Sequence, residues 1–148
     1  MILPEVRSLL NNLTPDLDAV ASPWIVIGSG ALMLLGAPVE AAADLDIVTD
    51  RAAARHLRAL WKTWLQCGDA KAPDGPFKSE DFARYETPWG PVEVMGGLRV
   101  HGAPLVLAER HPHLPIPTAA DQLRILRLFG RPKDLAKAAV LETWLAKG

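Results

Sequence analysis

A chain of 148 residues with 49% hydrophobic and 22% charged side chains is sized for one domain, residues 1–148, and can bury a core, which excludes wholesale disorder. Sixteen basic and seventeen acidic residues leave a net charge of -1, which argues against a protein that coats duplex nucleic acid through bulk positive charge. One cysteine, Cys67, excludes an internal disulfide and a multi-thiolate zinc site, so a reducing, cytoplasmic setting is expected.

The opening residues, Met1 to Glu5, lack the charged start of a signal peptide. The most apolar stretch, Trp24 to Leu35, is broken by Gly28-Ser29-Gly30 and falls short of the roughly 18–20 residues a membrane span needs. Val6, Leu9, Leu10 and Leu13 lie at helical spacing and predict a short helix over 2–13, closed by Thr14-Pro15. Trp24-Ile25-Val26-Ile27, flanked by Ser22-Pro23 and Gly28, predicts a buried strand. Gly28-Ser29-Gly30 then turns into a brief helix, Ala31 to Leu35, which Gly36 ends; a loop over 37–43 follows. Asp44 to Thr49 is the second predicted strand. Asp50 stands at the N-cap of a helix over 51–65 with the apolar stripe Leu57, Leu60, Trp61, Trp64 and Leu65.

Cys67 to Pro76 reads as a polar loop. Two strands near 81–86 and 91–95, joined by Thr87-Pro88-Trp89-Gly90, predict a hairpin with a type I turn. Further strand candidates are Leu98 to His101 and Leu105 to Leu107. Helices are expected at about 119–129 and 132–146, with Thr118 as a cap and Pro132 in the first turn of the last. The order of elements predicts an α/β (α+β) fold: a mixed sheet flanked by helices, with a small C-terminal helical tail.

The chemistry centres on Asp44-Leu45-Asp46-Ile47-Val48. Strand side chains alternate, so Asp44 and Asp46 share one face, roughly 7 Å apart along the chain. Two neighbouring carboxylates repel unless neutralised, and magnesium prefers one or two carboxylates plus substrate phosphates; two solvated aspartates on an edge strand are the alternative. Gly28-Ser29-Gly30 between a strand and a helix is a phosphate-cradling arrangement, or else a tight turn that needs glycine. It matches neither Gly-x-Gly-x-x-Gly nor a Lys-bearing phosphate loop. In Pro91-Val92-Glu93-Val94-Met95 the valines share a core face, so Glu93 projects from the other. There it is either a third carboxylate for a two-metal site or a solvated hairpin residue.

In combination these stretches resemble a known family. Trp24 to Leu32, then Asp44-Leu45-Asp46-Ile47-Val48 and Val92-Glu93-Val94, are similar to the nucleotidyltransferase superfamily that shares the DNA polymerase β palm. The subgroup resembled is that of minimal nucleotidyltransferases, including the bacterial toxin-associated (toxin–antitoxin-like) kind. Leu128-Phe129-Gly130-Arg131-Pro132-Lys133-Asp134-Leu135 resembles the Arg-x-Lys-Asp segment that opens a C-terminal helix in such proteins. The resemblance implies a palm over about 20–107 with C-terminal helices at about 118–147. It also implies a Mg2+-dependent enzyme moving a nucleotidyl group from an NTP, most often ATP, to a hydroxyl. Gly28 and Ser29 would hold the triphosphate, Asp44 and Asp46 the metals, and Lys133 a phosphate; Glu93 would ligate metal or take the acceptor proton. The chain departs from the pattern in three places. No Arg or Thr precedes Asp44 within Pro38 to Ala43, the third carboxylate is Glu rather than Asp, and Lys137 and Ala138 stand where a second acidic residue often follows.

The acceptor class (tRNA, protein side chain or antibiotic hydroxyl) is open, and so small a remainder outside the palm predicts a second subunit, a homo-oligomer or the acceptor itself completing the cleft. The rival reading is a non-catalytic nucleotide-binding or protein-interaction module on the same fold. His111-Pro112-His113 reads as a solvated loop, and Arg51, Arg55, Arg58 and Lys62 as a charged helix face. Among five tryptophans, Trp89 in the turn is the one expected to be exposed.

Overall fold

Val6, Leu9, Leu10, Leu13 and Leu17 form a buried stripe along α1 (Leu3–Ala19) in the computed structural model, which describes residues 1–67 and 75–148. The helix therefore runs past Thr14-Pro15, where the sequence predicts its end. Pro15 removes one backbone donor, but tertiary anchors on the far side outweigh that loss. Leu17 is buried, and Asp16 and Asp18 accept hydrogen bonds from the indoles of Trp61 (2.8 Å) and Trp24 (3.0 Å).

Strand β1 (Trp24–Ile27) is buried throughout and passes directly into α2 (Gly28–Leu35), so the glycine turn is itself the first turn of the helix. Gly36, left-handed at φ 102°, ends α2 as expected. Strand β2 (Leu45–Thr49) leads to Asp50, whose carboxylate caps α3 (Arg51–Leu60) by accepting from the Ala53 N–H at 2.7 Å. Helix α3 is shorter than the 51–65 predicted. Trp61 leaves helical geometry to pack edge-on against Tyr85, with ring centroids 5.2 Å apart. A 3₁₀ turn (Lys62–Trp64) and β3 (Leu65–Cys67) follow, so Trp64 and Leu65 lie outside the helix and Leu60 is exposed. Most of the expected loop over Cys67–Pro76 falls outside the described residues.

The hairpin is present, but its strands, β4 (Phe77–Thr87) and β5 (Gly90–Val100), are eleven residues each. The strand expected at Leu98 to His101 is the end of β5. A two-residue β6 (Ala103–Pro104) pairs with it, and Leu105 to Leu107 is not a strand. Helices α4 (Ala119–Phe129) and α5 (Pro132–Lys147) match their predicted bounds closely, with Thr118 accepting from the Asp121 N–H.

The sheet runs in the order β1-β2-β5-β4-β3, with β6 beside β5. Only β2 and β5 are parallel among these neighbours; the other pairings are antiparallel, so the sheet is mixed. Helices α1 and α3 cover one face through Leu45, Ile47, Tyr85, Val92 and Val94. Ile25, Ile27 and Val48 on the opposite face pack against Ile125 and Phe129 of α4. Gly97, at φ 65°, lets β5 change its alternation, so that Leu98 joins Met95 on the α4 side. The far side of the sheet is thus apolar under α4 and open beside it. Among the described residues, no helix is long and apolar enough to cross a membrane.

Candidate active site

Strand register lines up the polar residues of the open face. Asp46 on β2 stands opposite Ile27 of β1 on one side and Glu93 of β5 on the other, and Glu93 in turn stands opposite Arg84 of β4. Alternation explains why these side chains share a face, because Leu45, Ile47, Val92 and Val94 between them are fully buried on the other. Asp44, just before β2, completes the group. Asp44, Asp46 and Glu93 each offer an oxygen within 4.8 Å of the others, and each is partly buried. Such a set of oxygen donors suits a hard divalent cation.

The start of α2 meets this group at Gly28. Its φ of 76° belongs to the left-handed region, and a Cβ there would lie 2.9 Å from the Asp46 carboxylate. Glycine is therefore required twice, by backbone and by the close approach of Asp46. No side chain caps α2, and Gly28 and Ser29 line the cleft, so the free N–H groups of the first turn face an anion-attracting opening.

The opposite wall comes from α5. Pro132 occupies its first turn and Arg131 its N-cap. Asp134 is buried and bound by Arg131 (Nε to Oδ2 2.6 Å, Nη2 to Oδ1 3.0 Å), so this aspartate fixes the helix start. Lys133 is exposed on the cleft and Lys137, one turn on, is half-buried in it. Between the walls lies a cleft of about 670 Å³ with an apolar floor that includes Phe82, Met95, Leu98 and Phe129.

All the site residues expected from sequence (Gly28, Ser29, Asp44, Asp46, Glu93 and Lys133) line this one cleft. Sequence reasoning missed Arg84. Its Nη1 donates to Asp44 Oδ2 at 3.1 Å and to Glu93 Oε1 at 3.2 Å, and its Nη2 reaches Glu86 Oε1 at 3.4 Å. The strand at 81–86 was legible, but its register against Glu93 was not. Lys137 could have been found from its four-residue spacing to Lys133 on a helix. His111 turns its ring back onto the N–H groups of His113 and Leu114 in a loop, as a bland reading expects. Arg55 and Arg58 pair with the buried Asp81, so two of the four residues of the expected basic face (Arg51, Arg55, Arg58 and Lys62) are structural.

Burial lifts the Asp46 carboxyl well above the usual carboxylate range; Asp44, by charge and hydrogen bond, and Glu93 add to the rise, and Lys137 opposes it. Burial also lowers Lys137, against the pull of Asp134 and Asp46. The consequence for stability has a definite sign. A carboxyl raised on folding stabilises the protein below its unfolded value of about 4, and that contribution is lost as pH rises through the folded value. Without metal, native protein should therefore lose melting temperature relative to Asp46→Asn as pH climbs from about 4. Thermal scans with chelator across that range check this; parallel curves would remove Asp46 as the cause.

No protein-family model matches the sequence, and no curated protein matches it. A solved Thermotoga maritima structure described as a "putative nucleotidyltransferase" matches 100% of this chain and 97% of its own, with a TM-score of 0.68 and 25% identity. The fold is that of the nucleotidyltransferase superfamily. Nucleotidyltransferases generally use divalent metals, and the donor set of Asp44, Asp46 and Glu93 in this chain fits such an ion. The nucleotidyltransferase fold thus supplies a general expectation, nucleotide as substrate, and the cleft supplies the local chemistry.

Proposed function

We propose that the protein is a Mg2+-dependent nucleotidyltransferase that moves a nucleotidyl group from an NTP, ATP by preference, to a hydroxyl of an acceptor. The observation that carries this reading is the convergence of three carboxylates within 4.8 Å beside the uncapped start of α2. Asp44, Asp46 and Glu93 are the ligands for Mg2+, whose chemistry when bound is to offset charge on the phosphate oxygens and lower the barrier to in-line displacement. The N–H groups of Gly28 and Ser29 receive phosphate oxygens, because a helix start attracts anions. Lys133 and Lys137 face them across the cleft and hold the triphosphate by charge. Glu93 accepts the acceptor hydroxyl proton. The hydroxyl oxygen bonds to the α-phosphorus, the bond from that phosphorus to the bridging oxygen breaks, and pyrophosphate leaves.

The palm of this reading spans about residues 20–107, and α4 with α5 closes the cleft from the C-terminal side. A second subunit or the acceptor itself completes the acceptor side.

Incubation of the protein with Mg2+ and α-labelled or γ-labelled ATP, against tRNA, protein and small-molecule acceptors, tests the proposal. The α-label should transfer and the γ-label should not. Transfer of the γ-label would make the protein a kinase, and ATP binding without transfer to any acceptor class would favour the non-catalytic module.

A further inference from the structure

Among the described residues, Arg84 is the one cation that the sheet itself places among the carboxylates. Its strand partner across β4 and β5 is Glu93, and one nitrogen, Nη1, bonds both Asp44 and Glu93. The pair of contacts, 3.1 and 3.2 Å, is a bridge between two of the three carboxylates that would ligate metal. A divalent ion held by Asp44 and Glu93 would meet a positive guanidinium already bonded to both. The ion and the guanidinium repel each other and compete for these oxygens.

A second feature gives the guanidinium somewhere to go. Its other terminal nitrogen, Nη2, already lies 3.4 Å from Glu86 Oε1, at the outer edge of a hydrogen bond. Glu86 is two residues along β4 on the same face and half exposed, whereas Asp44 and Glu93 are mostly covered. Arg84 is therefore suspended between an inner anchor, Asp44 and Glu93, and an outer one, Glu86.

We propose that Arg84 is a built-in counter-cation that occupies the carboxylate cluster in the metal-free protein and withdraws toward Glu86 when metal enters. This inference rests on the reading of Asp44, Asp46 and Glu93 as metal ligands. Full use of Asp44 and Glu93 as ligands then waits for the guanidinium to leave. The arrangement keeps three crowded carboxylates from repelling one another before metal arrives, at the expense of metal affinity.

Mn2+ titration followed by electron paramagnetic resonance of the free ion, with the full chain and no nucleotide, tests the proposal. Arg84→Met keeps much of the side-chain length and removes the charge, so it should tighten Mn2+ binding by about tenfold or more. The same variant should melt lower than native protein in chelator and gain more from Mn2+. Glu86→Gln, on the exposed rim, serves where Arg84→Met folds poorly. Removal of the outer anchor should weaken Mn2+ binding by about two- to fivefold, the range of an exposed ion pair. Unchanged Mn2+ binding in Glu86→Gln alone overturns the proposal, and where Arg84→Met folds the same change in that background should have no effect. If native protein binds Mn2+ and Arg84→Met binds it no more tightly, Arg84 organises the ligands rather than competing with metal, and the proposal fails alone. Equal weakening by Glu86→Gln in both backgrounds also overturns it. If neither native protein nor any variant binds Mn2+, the reading of the cluster as a metal site falls with it.

Discussion

Asp44→Asn combined with Asp46→Asn is expected to abolish the Mg2+-dependent part of the thermal shift caused by ATP, while the metal-free protein melts no lower than the native chain. The two halves have separate causes. A ligand that binds only the folded state stabilises it by mass action, by ~2.7 kcal/mol at a concentration of 100 Kd. For a chain of this size that is a rise of roughly 5–11 °C. In the proposed site Mg2+ links the triphosphate to Asp44 and Asp46, so neutral amides remove the link and with it that shift. Without metal the same change is relief. Asp46 is raised by burial and by Asp44, which means that its charge is unwelcome where it stands. Arg84 loses one anchor in the double variant but keeps Glu93 and Glu86. Fluorimetric melting curves with chelator, with Mg2+, and with ATP plus Mg2+ read both halves at once. An intact Mg2+-dependent shift in the double variant would place the nucleotide elsewhere.

The parts of this site that were legible in the sequence were those fixed by local rules. Alternation around Leu45 and Ile47, and around Val92 and Val94, puts Asp44, Asp46 and Glu93 on the face opposite the buried residues from sequence alone. Gly28 was legible as a turn, and its necessity became clear only with the Asp46 carboxylate 2.9 Å from where its Cβ would stand. What escaped depended on contacts distant in sequence. The end of α1 at Pro15 was a sound local expectation that Trp61 and Trp24, far along the chain, overrule through Asp16 and Asp18. Trp61 ends α3 early because Tyr85 and Asp16 claim it. Arg84 joins the site only through its register opposite Glu93, and register is not written in a strand's own pattern. Asp134 shows the converse. It belongs to the Arg-x-Lys-Asp segment by sequence, yet its carboxylate is buried against Arg131 and shapes the start of α5, leaving Lys133 and Lys137 to face the cleft.

Glu93→Gln is expected to lower the rate of nucleotidyl transfer by about 10²–10⁴-fold, the usual cost of losing a general base, with little change in ATP affinity. The amide keeps the shape of the side chain and can neither accept the acceptor proton nor bear the charge that draws Mg2+. In the proposed site ATP is held mainly by Gly28, Ser29, the lysines of α5 and Mg2+, for which Asp44 and Asp46 remain as ligands. The cleft should also keep its geometry. Arg84 retains Asp44 at 3.1 Å and Glu86 at 3.4 Å after Glu93 is neutralised, and Val92 and Val94 hold β5 in place from the buried face. Initial rates with α-labelled ATP on the acceptor that native protein labels, set beside ATP affinity from the melting shift, separate the two effects. A rate loss matched by an equal loss of affinity would make Glu93 a nucleotide-binding residue. A rate within about threefold of native would fall well short of what a general base contributes, and the proton would then have to leave through Asp44 or Asp46.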